Sequence, residues 1–261
     1  MTIATATAHE ERGNEDFAGI VPGAAVLVDG AGIVGTESIC RHGVAWYATR
    51  LGGELLGLLS LSPGPSLTAL LGEAIRRVTG SHRDTCDVAD RSSPSATVAV
   101  VRIAGDRADH LLLGDTVIVL DGPGGPVTVD DRREPDLRRP YQARLDAAAP
   151  EDRERVLAEV VDGFRAHRNQ PGGFWVAKDD PLAADEAITG SRPASDLTRI
   201  VLLSNGASRF VDLLGLADWP GMLSELTTSG PDEIIRRVRA AEAREGVTPD
   251  DATVIDWQRQ P

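Results

Sequence analysis

The stretch Ala25–Gly35, AVLVDGAGIVG, decides how the chain is read. It sets Gly30, Gly32 and Gly35 in the spacing G-x-G-x-x-G, after an apolar run and before a segment of helical periodicity. Such a loop cradles the pyrophosphate of a dinucleotide when it joins a strand to a helix in a parallel β-α-β unit. Yet Asp29 stands directly before the first glycine, where a phosphate would have to approach. A carboxylate at the end of a strand suits a cation instead, or the N-cap of a helix.

The sequence on either side separates these readings. Val44, Ala48, Leu51, Leu55 and Leu58 recur at three- and four-residue steps and predict a helix over 36–59. LSPGPS, residues 61–66, interrupts the pattern, and Ser66 then N-caps a second helix with Leu67, Leu70, Leu71, Ala74, Ile75 and Val78 on its buried face. A dinucleotide unit needs a strand in this region, ending in an acidic residue near position 50. Arg50 stands there, in mid-helix, and the next β-rich run begins only at Ser95. The glycines have the spacing but not the architecture, so no nicotinamide cofactor is expected.

Working outward, DFAGIV (16–21) and AAVLVD (24–29) read as strands about a Pro22-Gly23 turn. SATVAVVRIAG (95–105) and DHLLLGDTVIVLDG (109–122) read as a hairpin, with GPVTVD (125–130) extending it. Residues 131–172 are charged and punctuated by proline, with one helix expected from Glu151 to His167. GGFWVA (172–177) reads as a strand, as does RIVLLSNG (199–206). Helices are expected around 207–216 and 231–244, and DDATVIDW (250–257) closes the chain as a strand. Strands arrive in hairpins and helices in pairs, which predicts sheets covered by helix pairs rather than β-α-β alternation.

A chain of 261 residues can bury a full core as one domain over 1–261. Its net charge of −13 disfavours a nucleic-acid backbone or an anionic membrane surface as partner. No apolar run approaches the roughly 18 residues of a membrane helix, and MTIATATAHEERGNED has no signal-peptide pattern, so a cytoplasmic protein is expected. Cys40 and Cys86 lie far apart without C-x-x-C or finger spacing and read as two reduced thiols.

Several carboxylates share the strand-end setting of Asp29: Asp16 in NEDF, Asp115 in LLLGDT, and Asp250 and Asp251 in PDDATV. Each alone is an ordinary turn residue. In this order, NEDF, VLVDGAG, SATVAVVRI with LLLGDT, LLSNGASR and DDATV resemble the metal-dependent Ser/Thr protein phosphatases of the PPM type, the type-2C family, in its bacterial branch. The matching pieces span residues 12–257, except that 121–195 matches poorly and reads as a lid or insertion.

The resemblance implies an α+β fold, a four-layer α-β-β-α sandwich of two antiparallel sheets each covered by helices. It implies two Mn²⁺ or Mg²⁺ ions, with a weaker third in some relatives. Asp29 would bridge both ions, the Gly30 carbonyl would bind one and Asp250 the other. Asp16, with Glu15, would act through metal-bound water, and Asp115 matches the site of the third ion. Arg12 would grip the phosphate, although it stands one residue closer to NED than in many relatives. The catalytic set implied is thus Asp29, Asp16 and Arg12.

Two positions depart from the family. Asn205 stands where relatives place a metal-binding aspartate, which keeps the shape and an oxygen but loses the charge. Ala31 stands where the eukaryotic branch often has a histidine acting as general acid, leaving that step to a bound water or a residue such as His42. The function implied is hydrolysis of phosphoserine or phosphothreonine in proteins. The alternatives are a catalytically weak phosphoprotein-binding relative, which Asn205 favours, and a phosphatase for a small phosphorylated metabolite. In HRNQPGGFWVAKDDP (167–181), Phe174 reads as core, while Arg168 or Lys178 would approach the phosphate if this stretch were a flap.

Overall fold

Along Ala24–Ala31 (β3), Ala25 and Leu27 face one way and Ala24, Val26 and Val28 the other, and all are buried. A strand apolar on both faces must be covered on both. The computed structural model describes residues 1–8, 13–32, 38–61 and 64–258 and shows the two covers. β3 lies between Asp16–Val21 (β2) and Ser95–Ala104 (β4), both antiparallel to it. Arg107–Leu113 (β5) and Ile188–Pro193 (β8) extend this sheet in the order β2-β3-β4-β5-β8.

The second five-stranded sheet contains Thr2–Ala6 (β1), Ala252–Gln258 (β10), Arg199–Leu203 (β9), Val117–Asp121 (β6) and Val127–Asp130 (β7), in that order and antiparallel throughout. The inward faces meet in one apolar layer, with Leu27, Val101 and Leu112 against Ile118, Leu202 and Ile255. Gly43–Leu61 (α1) and Leu67–His82 (α2) cover the outer face of the first sheet. Asn205–Asp212 (α5), Trp219–Ser229 (α6) and Pro231–Glu245 (α7) cover the second. The result is the four-layer α-β-β-α sandwich. Because β4 returns antiparallel to β3, the parallel crossover of a dinucleotide-binding unit does not form here.

Ser66 caps α2 as expected, accepting from the Ala69 amide at 3.1 Å. Other expectations need correction. The described part of α1 begins at Gly43, not at 36; residues 38–42 form turns, and 33–37, including Gly35, lie outside the described residues. DHLLLGDTVIVLDG is not one arm of a hairpin. At Gly114, whose φ of +87° favours glycine, the chain leaves β5 in one sheet for β6 in the other. The leader contributes β1, whose small side chains hid a strand, and GGFWVA forms only isolated bridges, Arg168 to Phe174 and Ala96 to Ala177.

Two helices were not anticipated. Arg133–Asp146 (α3) carries Pro140 in its interior, which masks the helical pattern, and packs against Arg153–Arg165 (α4). In α6, Asp218 is the N-cap and accepts from Gly221 N at 2.9 Å, a signal that was present in the sequence. A buried bidentate pair ties β9 to β10: the Arg199 guanidinium donates to Asp256 at 2.6 and 2.7 Å.

Candidate metal centre

The start of β2, the end of β3, the switch from β5 to β6, the start of α5 and the approach to β10 meet at one edge of the sandwich. Antiparallel register brings Asp16 opposite Asp29. The Gly30 amide donates to the Glu15 carbonyl at 3.1 Å, and a Cβ on Gly30 would lie 2.4 Å from that oxygen and 2.6 Å from the Val44 side chain. Only glycine lets the strand end close this tightly. Gly206 has the same reason to exist, since a Cβ there would lie 2.0 Å from the Asp251 carbonyl.

Asn205 opens α5, with Ser204 as the N-cap residue. Its backbone amide donates to Asp29 Oδ2 at 2.8 Å, so the helix start supports the negative charge on Asp29. Its Nδ2 donates to Asp115 Oδ2 at 2.7 Å. The Asn205 side chain is thus spent on Asp115 and not on capping its own helix. Asp250 accepts from Arg209 at 2.9 Å, and Arg209 also holds the buried Glu242 at 2.7 Å. Asp251 serves a different purpose, accepting from the amides of Ala8 and Glu15 at 2.6 Å each and from Thr7 Oγ1 at 3.1 Å. It clasps the chain before β2 to the chain before β10.

The electrostatics of this edge are unbalanced. Asp29 is raised well above the usual carboxylate range, first by burial and then by Asp16, Asp115 and Asp250, against the single Asn205 amide. Asp16 is pushed up to about 7, chiefly by burial and also by Asp251 and Asp250, with the Thr253 and Ser204 hydroxyls opposing. Both Asp16 carboxylate oxygens are buried, and among the described residues neither has a partner in hydrogen-bond geometry. Among the described residues, the only ion pair made by these carboxylates is the one from Arg209 to Asp250. Buried, unpartnered carboxylate oxygens gathered without balancing cations are the donor set that hard divalent ions take. Among the described residues, no three of these acidic side chains bring ligand atoms within 4.8 Å of one another, so they form an open row and not a closed cage.

Beside the row lies a groove of about 850 Å³, bordered by Asp115, Asn205 and Asp250 on one side and by Arg132, Glu134 and Arg139 on the other. The second wall is α3 and its approach, in the stretch that reads as a lid or insertion with no helix expected before Glu151. The Glu134–Arg138 ion pair at i,i+4 was the available signal for it. Glu134 is raised by burial, with Arg138 opposing and Asp115 adding, which places it toward the acidic row.

The edge therefore brings together Asp16, Asp29, Gly30, Asp115, Asn205 and Asp250. Arg12 lies outside the described residues. His42 faces Cys40 and Cys86 and stacks on Trp46, and among the described residues no histidine borders the groove. Lys178 is buried and donates to the Val88 carbonyl and to Asp179 at 2.6 Å each, so it is not poised for phosphate. Arg168 donates to the Arg91 carbonyl at 3.3 Å, away from the groove lining. Phe174 is core, stacked on Phe164.

This sandwich, with an acidic edge at the strand ends, is the fold of the PPM-type Ser/Thr phosphatases. The catalytic domain of the serine/threonine protein phosphatase PstP in complex with two manganese ions is 19% identical, with a TM-score of 0.61 over 98% of this chain and 95% of that one. The Mycobacterium tuberculosis phosphatase PstP/Ppp is 18% identical, with a TM-score of 0.62 over 100% and 98%. Stp1 from Staphylococcus aureus is 14% identical, with a TM-score of 0.63 over 100% and 94%. No family model matches the chain, and no curated protein matches it in sequence. The likeness is one of fold.

Proposed function

We propose that the chain is a phosphomonoester hydrolase that depends on Mn²⁺ or Mg²⁺ and acts on phosphoserine and phosphothreonine in proteins. The observation that carries this reading is the Asp16–Asp29 pair, facing carboxylates at a strand edge whose charge no ion pair balances among the described residues. Asp29 would hold both ions, the Gly30 carbonyl and Asp250 one each, and Asp16 would reach them through water. Asp115 and Asn205 would border a weaker third position. Divalent ions held there supply Lewis acidity and an activated water nucleophile.

The remaining work falls to the protein. The Asn205 amide fixes the direction of the Asp29 carboxylate, and Arg209 fixes Asp250. Arg132 and Arg139 are well-exposed guanidinium groups bordering the groove and suit the phosphoryl oxygens of a peptide lying in it. Arg12 is the proposed grip on the reacting phosphate itself. The α3–α4 pair, within 121–195 of a single domain over 1–261, acts as the lid. With Ala31 in the place of a histidine, water protonates the leaving alkoxide.

The antiparallel β3–β4 pair argues against a nicotinamide cofactor, and the net charge of −13 against nucleic acid. Among the described residues no helix is long and apolar enough to cross a membrane, in keeping with a bacterial cytoplasmic protein.

One observation favours a second reading, a weakly active relative that binds phosphoproteins. Asn205 Nδ2 bonds Asp115 directly, satisfying a carboxylate that a cation would otherwise hold. An assay with Mn²⁺ on p-nitrophenyl phosphate and on a phosphothreonine peptide, run on the chain and on Asn205→Asp, separates the two. Turnover of both substrates by the chain itself supports hydrolysis. Peptide binding with turnover only in Asn205→Asp supports the second reading.

A further inference from the structure

A separate group of side chains has no part in the acidic edge. Cys40 and His42 lie in the turn that precedes α1, and Cys86 follows the end of α2. The Asp87 amide donates to the Ile39 carbonyl at 2.9 Å, which pins these two segments side by side. His42 Nδ1 then lies 3.9 Å from Cys40 Sγ and 3.2 Å from Cys86 Sγ, and the three ligand atoms fall within 4.8 Å of one another. Zinc bonds of about 2.3 Å to sulfur and 2.0 Å to nitrogen, arranged tetrahedrally, separate a sulfur from a nitrogen by about 3.5 Å. The observed distances fall on either side of that value.

We infer that Cys40, His42 and Cys86 form a binding site for a thiophilic divalent cation, zinc above all. The donors are soft and the site stands apart from the hard oxygen row, so the two select different ions. The His42 ring is set by stacking on Trp46, with centroids 4.3 Å apart. His82 meets the same rings edge-on and engages the Val78 carbonyl through Nδ1 at 2.7 Å, so it packs the His42 ring in place. Burial alone would raise Cys86, but hydrogen bonds from Cys40, Thr85 and the amides of Arg41 and His42 outweigh it and hold that thiol below its ordinary range. Burial raises Cys40, whose proton a metal would displace. An ion here would staple the end of α2 to the segment that leads from the Asp29–Gly30 edge into α1.

The test uses the full chain, kept reduced and freed of metal, with Co²⁺ and Zn²⁺ as probes. Co²⁺ is expected to give a thiolate-to-metal charge-transfer band that Zn²⁺ abolishes. The band is expected to persist in Asp29→Ala and to vanish in Cys86→Ser and His42→Ala. Zn²⁺ is also expected to protect both thiols from Ellman's reagent and to raise Tm, with both effects lost in Cys86→Ser while its Mn²⁺-induced shift remains. No band in the reduced chain, a band unchanged in Cys86→Ser, or thiols that react equally fast with Zn²⁺ present would overturn the assignment.

Discussion

Asp16 and Asp29 face each other across neighbouring antiparallel strands, Cα to Cα in register, and among the described residues neither makes an ion pair. Two carboxylates so placed repel in the bare chain and attract a cation strongly. The sign of their contribution therefore depends on whether metal is present.

Asp29→Ala is expected to abolish Mn²⁺-dependent hydrolysis while raising Tm in EDTA, because it removes a carboxylate disfavoured by burial and by the charges of Asp16, Asp115 and Asp250. Relief on the order of 1 kcal/mol corresponds to roughly 2–4 °C in a chain of this size. Retained turnover, or an EDTA melting point lower than that of the parent, would count against the role given to Asp29.

Asn205→Asp replaces a donor, 2.7 Å from Asp115, with a second carboxylate. The variant is expected to melt lower than the parent in EDTA and to gain more from Mn²⁺. Melting curves in EDTA and in Mn²⁺ measure both terms. Equal metal-induced shifts in the two proteins would remove Asn205 from the ligand positions.

His110 gives a pH dependence away from the acidic edge. Burial, aided by Arg192 and opposed by Asp109, lowers it below the ordinary histidine value of 6.5, and its Nδ1 has no partner. The folded chain then binds fewer protons than the unfolded one. Its contribution to stability is complete above about pH 6.5 and is lost as pH falls below that value toward the lowered pKa. Urea unfolding at pH 7.5 and 5.5 is expected to show a loss that is smaller in His110→Phe; an equal loss in both would show that other groups carry it.

The Arg199–Asp256 pair is almost fully buried and bidentate. Asp256→Ala leaves the guanidinium without its counter-charge and is expected to cost about 3–5 kcal/mol. In this chain that is a Tm lower by roughly 6–20 °C. A drop of only a degree or two would mean that Thr227 and the Leu223 carbonyl, which Arg199 also holds, suffice for it.

The acidic residues were legible because each stands at a strand end marked by glycine or by a β-rich run. Strand ends are where side chains leave the sheet for solvent, and the order of the motifs limits which ends can meet. What sequence could not convey was partnership. Nothing in LLSNG says that the Asn205 side chain reaches Asp115, and nothing in PDDATV says that Asp250 faces the groove while Asp251 clasps Glu15. Those outcomes depend on contacts between residues far apart in the chain. The sheet change at Gly114 was hidden because the runs on either side of it, Leu111–Leu113 and Val117–Leu120, are apolar on both faces. The Cys40–His42–Cys86 group was hidden by a separation in sequence that α1 and α2 close in space.

The crossing at Gly114 has a mechanical consequence. Asp16 and Asp29 ride on one sheet, whereas Asn205 follows β9 and Asp250 precedes β10 of the other. A ligand held by both sets would join the two sheets at their edge, like a rivet through two plates. Any sliding of one plate over the other must change the spacing of the grip. On the proposed reading, an ion held at the edge would couple the two sheets, and a substitution deep in the layer, such as Leu202→Ala, would be expected to slacken the hold on it.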